Sequence, residues 1–147
     1  MNDIVINKIQ SIQRCIERAR QEYQADPDGF AANYTAQDAA VLNVLRACEQ
    51  AIDLANHLIQ THKMGIPISS AESFDLLRQK SIIDLALSEK LKRMVHFRSI
   101  AVHQYQRMDL DIVKSVIVSG LDDLVQFGDR ILEFINRVSE VSEHGLR

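Results

Sequence analysis

Apolar residues recur every three or four positions over most of the chain, which is typical of helices with one buried face. The pattern predicts a first helix over about Asp3 to Gln24 and a second over about Thr35 to Lys63. The expected buried face of the first helix consists of Ile6, Ile9, Ile12, Ile16 and Ala19. That of the second consists of Val41, Leu45, Cys48, Ile52, Ala55 and Ile59.

Capping signals place the starts of the middle helices. Thr35 with Asp38 three positions later is close to a capping box for the second helix. Ser69 with Glu72 is a better capping box and predicts a short third helix. An apolar connector then leads to Ser88, which we expect to cap the fourth helix.

The fourth helix is predicted to extend to about Val102, and Asp109 or Asp111 to begin a long last helix. Residues 104–108 between them lack a strong helix signal and are expected to form a loop. No strand-like alternation and no internal repeat is present in the sequence. The prediction is an all-α fold of four longer helices and one short helix in an up-down bundle.

Length and composition limit the classes of protein that fit. The 147 residues predict a single domain over 1–147, with a polar and frayed tail over 139–147. The net charge is -3, from 17 basic and 20 acidic side chains, so any contact with a nucleic acid requires a local basic surface. No segment predicts a signal peptide or a membrane span, which favours a cytoplasmic protein without a membrane partner.

Cysteine usage predicts neither a disulfide framework nor a metal site. Cys15 and Cys48 lie inside apolar helical patterns, where buried free thiols are expected. Two cysteines without a histidine pair at ligand spacing do not make a zinc site. We therefore expect no metal and no cofactor.

Three residues with complementary chemistry lie at the end of the predicted fourth helix. Arg98 can neutralise a phosphate, His103 can transfer a proton near neutral pH, and Tyr105 offers a hydroxyl that can be positioned or modified. Residues five apart in an α-helix differ by about 140° around the axis, so one straight helix does not direct Arg98 and His103 to one phosphate. Either the helix ends or distorts near His103, or another helix or chain completes the pocket.

Each of these residues also has a purely structural interpretation. Arg98 can be a surface ion-pair partner, and Tyr105 an ordinary half-buried aromatic residue. His103 can be a cation at the carboxyl end of a helix, where the helix dipole favours positive charge.

A basic stretch surrounds the three residues, and no acidic residue interrupts it between Lys90 and Met108. It makes the fourth helix the candidate RNA-binding surface in a chain of negative net charge. The alternative is that its first basic residues form only a solvated helix face. The candidate RNA contacts outside the motif are Lys90, Lys92, Arg93 and Arg107.

The second helix carries polar residues four positions apart, which therefore share a face. Glu49 or Asp53 from this stripe could reach Arg98 or His103 and orient it, as supporting residues do in triad-type sites. The alternative is an exposed acidic stripe in which Glu49 pairs with Arg46.

The spacing Arg98-x4-His103-x-Tyr105 resembles the signature of the HEPN superfamily of helical ribonuclease domains. The segment from Leu42 to His57 resembles the second-helix motif of HepT, the toxin of the HepT/MntA toxin–antitoxin type. The segment Gly65 to Ser70 is also similar to HepT, and so is Leu110-Asp-Ile-Val113. The similarity spans most of the chain.

This resemblance implies a metal-independent endoribonuclease that acts as a homodimer and cleaves RNA with Arg98 and His103. It also implies a partner, an MntA-like nucleotidyltransferase antitoxin that neutralises the toxin by transferring AMP to Tyr105. Ser99 departs from the family pattern, in which asparagine or another strongly polar residue often follows the motif arginine. The alternative function is a non-catalytic helical binding subunit of a two-component nucleotidyltransferase.

Overall fold

The computed structural model describes the backbone of residues 2–145 and the side chains of residues 3–140. Within this range, a π-helical turn (Val116–Gly120) joins the last two helices into one long element. The predicted all-α class, with four longer helices and one short one, is confirmed. The helices are α1 (Asn2–Gln24), α2 (Tyr34–Thr61), α3 (Ser70–Gln79), α4 (Leu85–Gln104), α5 (Leu110–Ser115) and α6 (Leu121–Gly145).

Helix α2 is the central element, since it packs against α1, α3, α4 and α6. Its small buried residues allow these neighbours to approach closely, and larger side chains fill the space between the outer helices. Phe74 of α3 and Phe127 of α6, both fully buried, meet edge to face with their ring centroids 5.4 Å apart. This packing fixes α4 beside α2, where the candidate site lies.

The predicted buried faces of the first two helices are confirmed except at two positions. Ile6 is 42% exposed, and Val5 is buried in its place. Val5 lies four residues before Ile9 and so shares its face of the helix. Ile6 follows Val5 by one residue, which turns its side chain by about 100° around the helix axis and away from that face. Leu45 of α2 is only half-buried, although it packs against the core.

The predicted cap of α2 was wrong. The side chain of Asn33 caps the helix by accepting a hydrogen bond from the backbone N–H of Ala36 at 3.0 Å, and Thr35 lies inside the first turn. The helix also ends at Thr61, earlier than expected, because Lys63 adopts a left-handed conformation with φ 53°. The predicted cap of α3 is confirmed, since Ser69 Oγ accepts from Glu72 N at 3.1 Å.

Helix α4 begins earlier than predicted. Asp84 caps it by accepting from Leu87 N at 2.7 Å, whereas Ser88 lies buried inside the helix. Asp84 has the extended backbone typical of a cap, and aspartate is among the preferred cap residues. Of the two residues proposed to begin the last helix, Asp109 is the cap, and it accepts from Asp111 N at 2.9 Å.

The carboxyl end of the chain is helical almost to its last residue. Helix α6 continues to Gly145, so the segment predicted as a frayed tail over 139–147 begins within this helix, and residues 146–147 lie outside the described residues. The fraying itself stays a prediction. No proline or glycine interrupts the helix between Ser139 and Gly145, and glycine is a usual residue at a helix end. None of the helices described here is long and apolar enough to span a membrane.

The pair of buried rings gives a prediction for stability. Phe127→Ala is expected to lower the free energy of unfolding by about 3–5 kcal/mol, because it leaves a cavity against Phe74. Urea unfolding followed by circular dichroism measures the loss. Leu85→Ala is the matched control, since Leu85 is 59% exposed and its truncation should change stability by about 0.5 kcal/mol or less. Equal losses in both variants would contradict this packing.

Candidate active site

Arg98 lies in the second half of α4, on the side that faces α2. Its Nε donates a hydrogen bond to the carboxylate of Glu49, and the two side chains are 29% and 43% exposed. Such a charge-assisted bond restricts the guanidinium more than a contact with water does. Among the described residues, Glu49 therefore pairs with Arg98 and not with Arg46.

A buried thiol lies close to this ion pair. Burial raises the pKa of Cys48 to about 12, and the positive charge of Arg98 opposes this effect only in part. The thiol is therefore protonated and unreactive near neutral pH. Cys48 is a buried free cysteine, as expected, whereas Cys15 is free but only half-buried.

Two other proposed supporting residues lie elsewhere. Asp53, one turn beyond Glu49, faces α1, where its Oδ2 lies 4.0 Å from Lys8 Nζ. Ser99 Oγ donates a hydrogen bond to the backbone carbonyl of Val95 at 3.1 Å, within α4. The Ser99 hydroxyl thus donates its proton within the helix itself, and among the described side chains neither Asp53 nor Ser99 forms a hydrogen bond or an ion pair with Arg98.

His103 lies in the last turn of α4 and is exposed to solvent. The helix ends at Gln104, one residue after His103, which agrees with the predicted helix end near His103, and the backbone is helical through His103 itself. Residues 105–107 form a 3₁₀ turn instead of the expected loop. Both motif residues lie in the helix, where residues five apart differ by about 140° around the axis, so the two side chains leave α4 on different faces.

Tyr105 begins the 3₁₀ turn, and its hydroxyl donates a hydrogen bond to Asp38 Oδ1 on α2. This bond is the main reason that the pKa of Tyr105 is raised above its ordinary value. Both residues line a cavity of about 380 Å³, together with Tyr34, Gln37 and Met108. Asp38 was not predicted as a site residue, because it is 67 positions from Tyr105 and its position in the sequence gave only a helix-cap signal.

The basic stretch of the sequence is divided in the structure. Lys92 Nζ lies 3.1 Å from Asp75 Oδ1 and 3.2 Å from Glu89 Oε1, and these hydrogen bonds raise its pKa. Its charge is therefore offset, which favours the structural interpretation for this residue.

Two further basic residues, Lys90 and Arg93, border a groove of about 780 Å³ between α4 and the last two helices. Asp123 lies across it; burial raises the pKa of its carboxyl, and the charges of Lys90 and Arg93 lower it. Arg107 is exposed on the 3₁₀ turn, two residues from Tyr105. Of the four proposed RNA contacts, Arg107 is the one nearest along the chain to the motif.

In the part of the chain that the structure describes, no cluster of three or more histidine, cysteine, aspartate or glutamate residues could hold a metal ion. The profile of the family described as "Ribonuclease HepT-like" matches residues 12–131 of the chain. The chain belongs to the ribonuclease HepT-like family. This assignment confirms the family and the endoribonuclease class predicted from the motif.

The chain resembles both a curated HepT protein and solved toxin structures over nearly their whole length. The chain is 50% identical over 131 residues to the mRNA nuclease HepT of Shewanella oneidensis. This aligned region covers 89% of the chain and 98% of that relative. It is 48% identical to a chain in the crystal structure of a toxin–antitoxin with AMP-PNP, and 49% identical to a chain in the structure of a tri-AMPylated Shewanella oneidensis HEPN toxin in complex with MNT antitoxin. Both structural matches have a TM-score of 0.85, and each covers 90% of this chain and 99% of the matched chain.

Proposed function

We propose that this HepT-like chain is a metal-independent endoribonuclease toxin that acts on mRNA in the cytoplasm. We further propose that a nucleotidyltransferase antitoxin neutralises it by transferring AMP to Tyr105. The observation that carries the proposal is the arrangement of Arg98, His103 and Tyr105 at one end of α4 in a chain half identical to an mRNA nuclease. The toxin–antitoxin structures of its relatives support the second part.

The proposed chemistry needs only groups that the chain supplies. His103 activates the ribose 2′-hydroxyl or protonates the leaving oxygen, since its side chain is exposed and imidazole exchanges protons near neutral pH. Arg98 stabilises the negative charge that develops on the phosphate. DNA lacks the 2′-hydroxyl, so this mechanism cleaves RNA and spares DNA.

A homodimer completes the site in this proposal. Arg98 and His103 diverge within one chain, so a phosphate that contacts both must lie between two copies of α4. A two-fold axis beside the ends of the two helices places Arg98 of one chain near His103 of the other and forms one shared cleft. The exposed Arg107 borders that cleft as an RNA contact.

AMP on Tyr105 inactivates the site by its size and its charge. Tyr105 follows His103 by two residues, and its hydroxyl lies at the surface beside Asp38. A phosphodiester there introduces negative charge next to the position of the RNA phosphate and repels it.

The test uses the MNT antitoxin of Shewanella oneidensis, with the HEPN toxin of that organism as a positive control. The purified chain is incubated with the antitoxin and ATP, and RNA cleavage and the mass of the Tyr105 peptide are followed together. The proposal expects cleavage to disappear as AMP appears on that peptide. Modification of the control toxin without modification of this chain would contradict it.

Glu49 is proposed to hold Arg98 in its productive position. Glu49→Ala is expected to lower kcat for RNA cleavage by about tenfold or more, because the guanidinium loses its fixed orientation. The KM for RNA should not rise, since the change removes a negative charge. Asp53→Ala on the same helix is the control and should retain full activity. A rise in KM with an unchanged kcat would refute this role.

A further inference from the structure

The Tyr105–Asp38 pair joins the 3₁₀ turn after α4 to the first part of α2. It brings a carboxylate to the atom that receives AMP in the function proposed above. That function requires only that Tyr105 be accessible, and it assigns no task to Asp38. The following inference rests on the proposed transfer of AMP to Tyr105.

We propose that Asp38 is the general base for the modification of this chain, which thereby supplies part of the catalytic machinery for its own inactivation. Asp38 Oδ1 accepts the proton of Tyr105 Oη while Oη attacks the α-phosphorus of a nucleoside triphosphate held by the antitoxin. The new bond joins Oη to the α-phosphorus, and the bond to the bridging oxygen breaks. Pyrophosphate leaves with that electron pair, and the proton stays on the Asp38 carboxyl.

The geometry meets the first requirement of a general base, which is hydrogen-bond contact with the proton that it removes. An aspartate that accepts the proton of a substrate hydroxyl is a recurring element of phosphoryl-transfer sites. The described residues that line the adjacent cavity include two tyrosines and one carboxylate, which is Asp38. No second acidic group of this lining competes for the proton.

The pair is also accessible to a partner. Asp38 is exposed, Tyr105 is half-buried, and the cavity of about 380 Å³ beside them has room for a phosphate group. Because the hydrogen bond to Asp38 raises the pKa of Tyr105, the hydroxyl carries its proton throughout the neutral range. The proton must therefore leave during the transfer, and the acceptor already bonded to it is Asp38.

The opposite role for Asp38 is a restraint that withdraws the hydroxyl from the antitoxin. The two roles predict opposite changes in the rate of modification when Asp38 is substituted. A restraint predicts faster modification when the carboxylate is lost, whereas a general base predicts slower modification.

The test is Asp38→Asn, which keeps the shape and a hydrogen-bond acceptor but removes the base. Its rate of AMP incorporation with the Shewanella oneidensis MNT antitoxin and ATP is expected to fall by about 10²-fold or more at neutral pH. The rate should then rise by about tenfold per pH unit, because the variant reacts only through the small phenolate fraction. The wild-type rate should change little over the same range, because in the wild type the proton passes directly from Tyr105 to Asp38 and the reaction does not depend on the phenolate fraction.

Two controls isolate this effect. Asp53→Asn removes a carboxylate from the same helix and should be modified at the wild-type rate. RNA cleavage by unmodified Asp38→Asn should persist, which shows that the variant is folded. An unchanged or faster modification, or a slower one with the wild-type pH profile, would overturn the assignment of Asp38. Absence of AMP from Tyr105 of the wild-type chain would instead overturn the proposed function.

Discussion

His103→Ala is expected to abolish RNA cleavage by the unmodified protein, with a loss of about 10²-fold or more. The imidazole is the group proposed to transfer the proton in the cleavage step. His103 is exposed at the end of α4, so its truncation creates no cavity in the core. The thermal midpoint should therefore remain within about 2–4 °C of the wild-type value. Cleavage of a fluorescent RNA and a thermal scan measure the two quantities on one sample.

The neighbouring position offers a matched control. Val102 is 51% exposed on the same turn of α4, so Val102→Ala makes a change of similar size without removing a titratable group. It should retain cleavage within about twofold. Full activity of His103→Ala would remove this residue from the catalytic role, whatever the control shows.

Tyr105→Phe is expected to cleave RNA but to escape modification by AMP. The substitution removes only the hydroxyl, and the ring that packs partly against the core remains. Without Oη no phosphodiester forms, so the incorporation of AMP should fall to background. Incubation with the Shewanella oneidensis MNT antitoxin and ATP, followed by peptide mass measurement, tests this result.

Tyr34→Phe is the control for that experiment. Tyr34 lines the same cavity and is 73% exposed, so its hydroxyl is also accessible to an antitoxin. We expect this variant to be modified as the wild type is. Modification that persists in Tyr105→Phe and disappears in Tyr34→Phe would move the AMP acceptor to Tyr34.

The helices could be predicted from the sequence because their signals are local. The spacing of apolar residues defined the buried faces of the first two helices, and it failed at Ile6, where Val5 is buried instead, and at Leu45, which is only half-buried. The helix starts were less predictable, because two capping residues lie near each other. Asn33 and Asp84 cap α2 and α4, in the places where the sequence suggested Thr35 and Ser88.

The candidate site was predictable only in part. The motif gave Arg98, His103 and Tyr105, and the four-residue spacing on α2 gave Glu49 as a possible partner of Arg98. The contact between Asp38 and Tyr105 depends on the way that α2 packs beside the end of α4, which no local pattern encodes. For this reason the carboxylate proposed to assist modification became visible only in the structure.

The electrostatic surroundings of α4 were also hidden in the sequence. The stretch from Lys90 to Met108 contains no acidic residue, which suggested a continuous basic surface. In the fold, Asp75 of α3 pairs with Lys92. Asp123 of α6 lies across a groove from Lys90 and Arg93. Charges from distant parts of the chain thus offset a run that looked uniform.

Whether the chain is a metal-independent ribonuclease is decided by cleavage with the purified protein in excess EDTA, after peptide mass has shown that Tyr105 is unmodified. The substrates are an RNA oligonucleotide and the DNA of the same sequence. We predict that the RNA is cut and the DNA stays intact, because the mechanism needs the 2′-hydroxyl and no metal ion. RNA that stays intact would contradict it and support the binding-subunit alternative, and cleavage of the DNA would contradict the assigned mechanism.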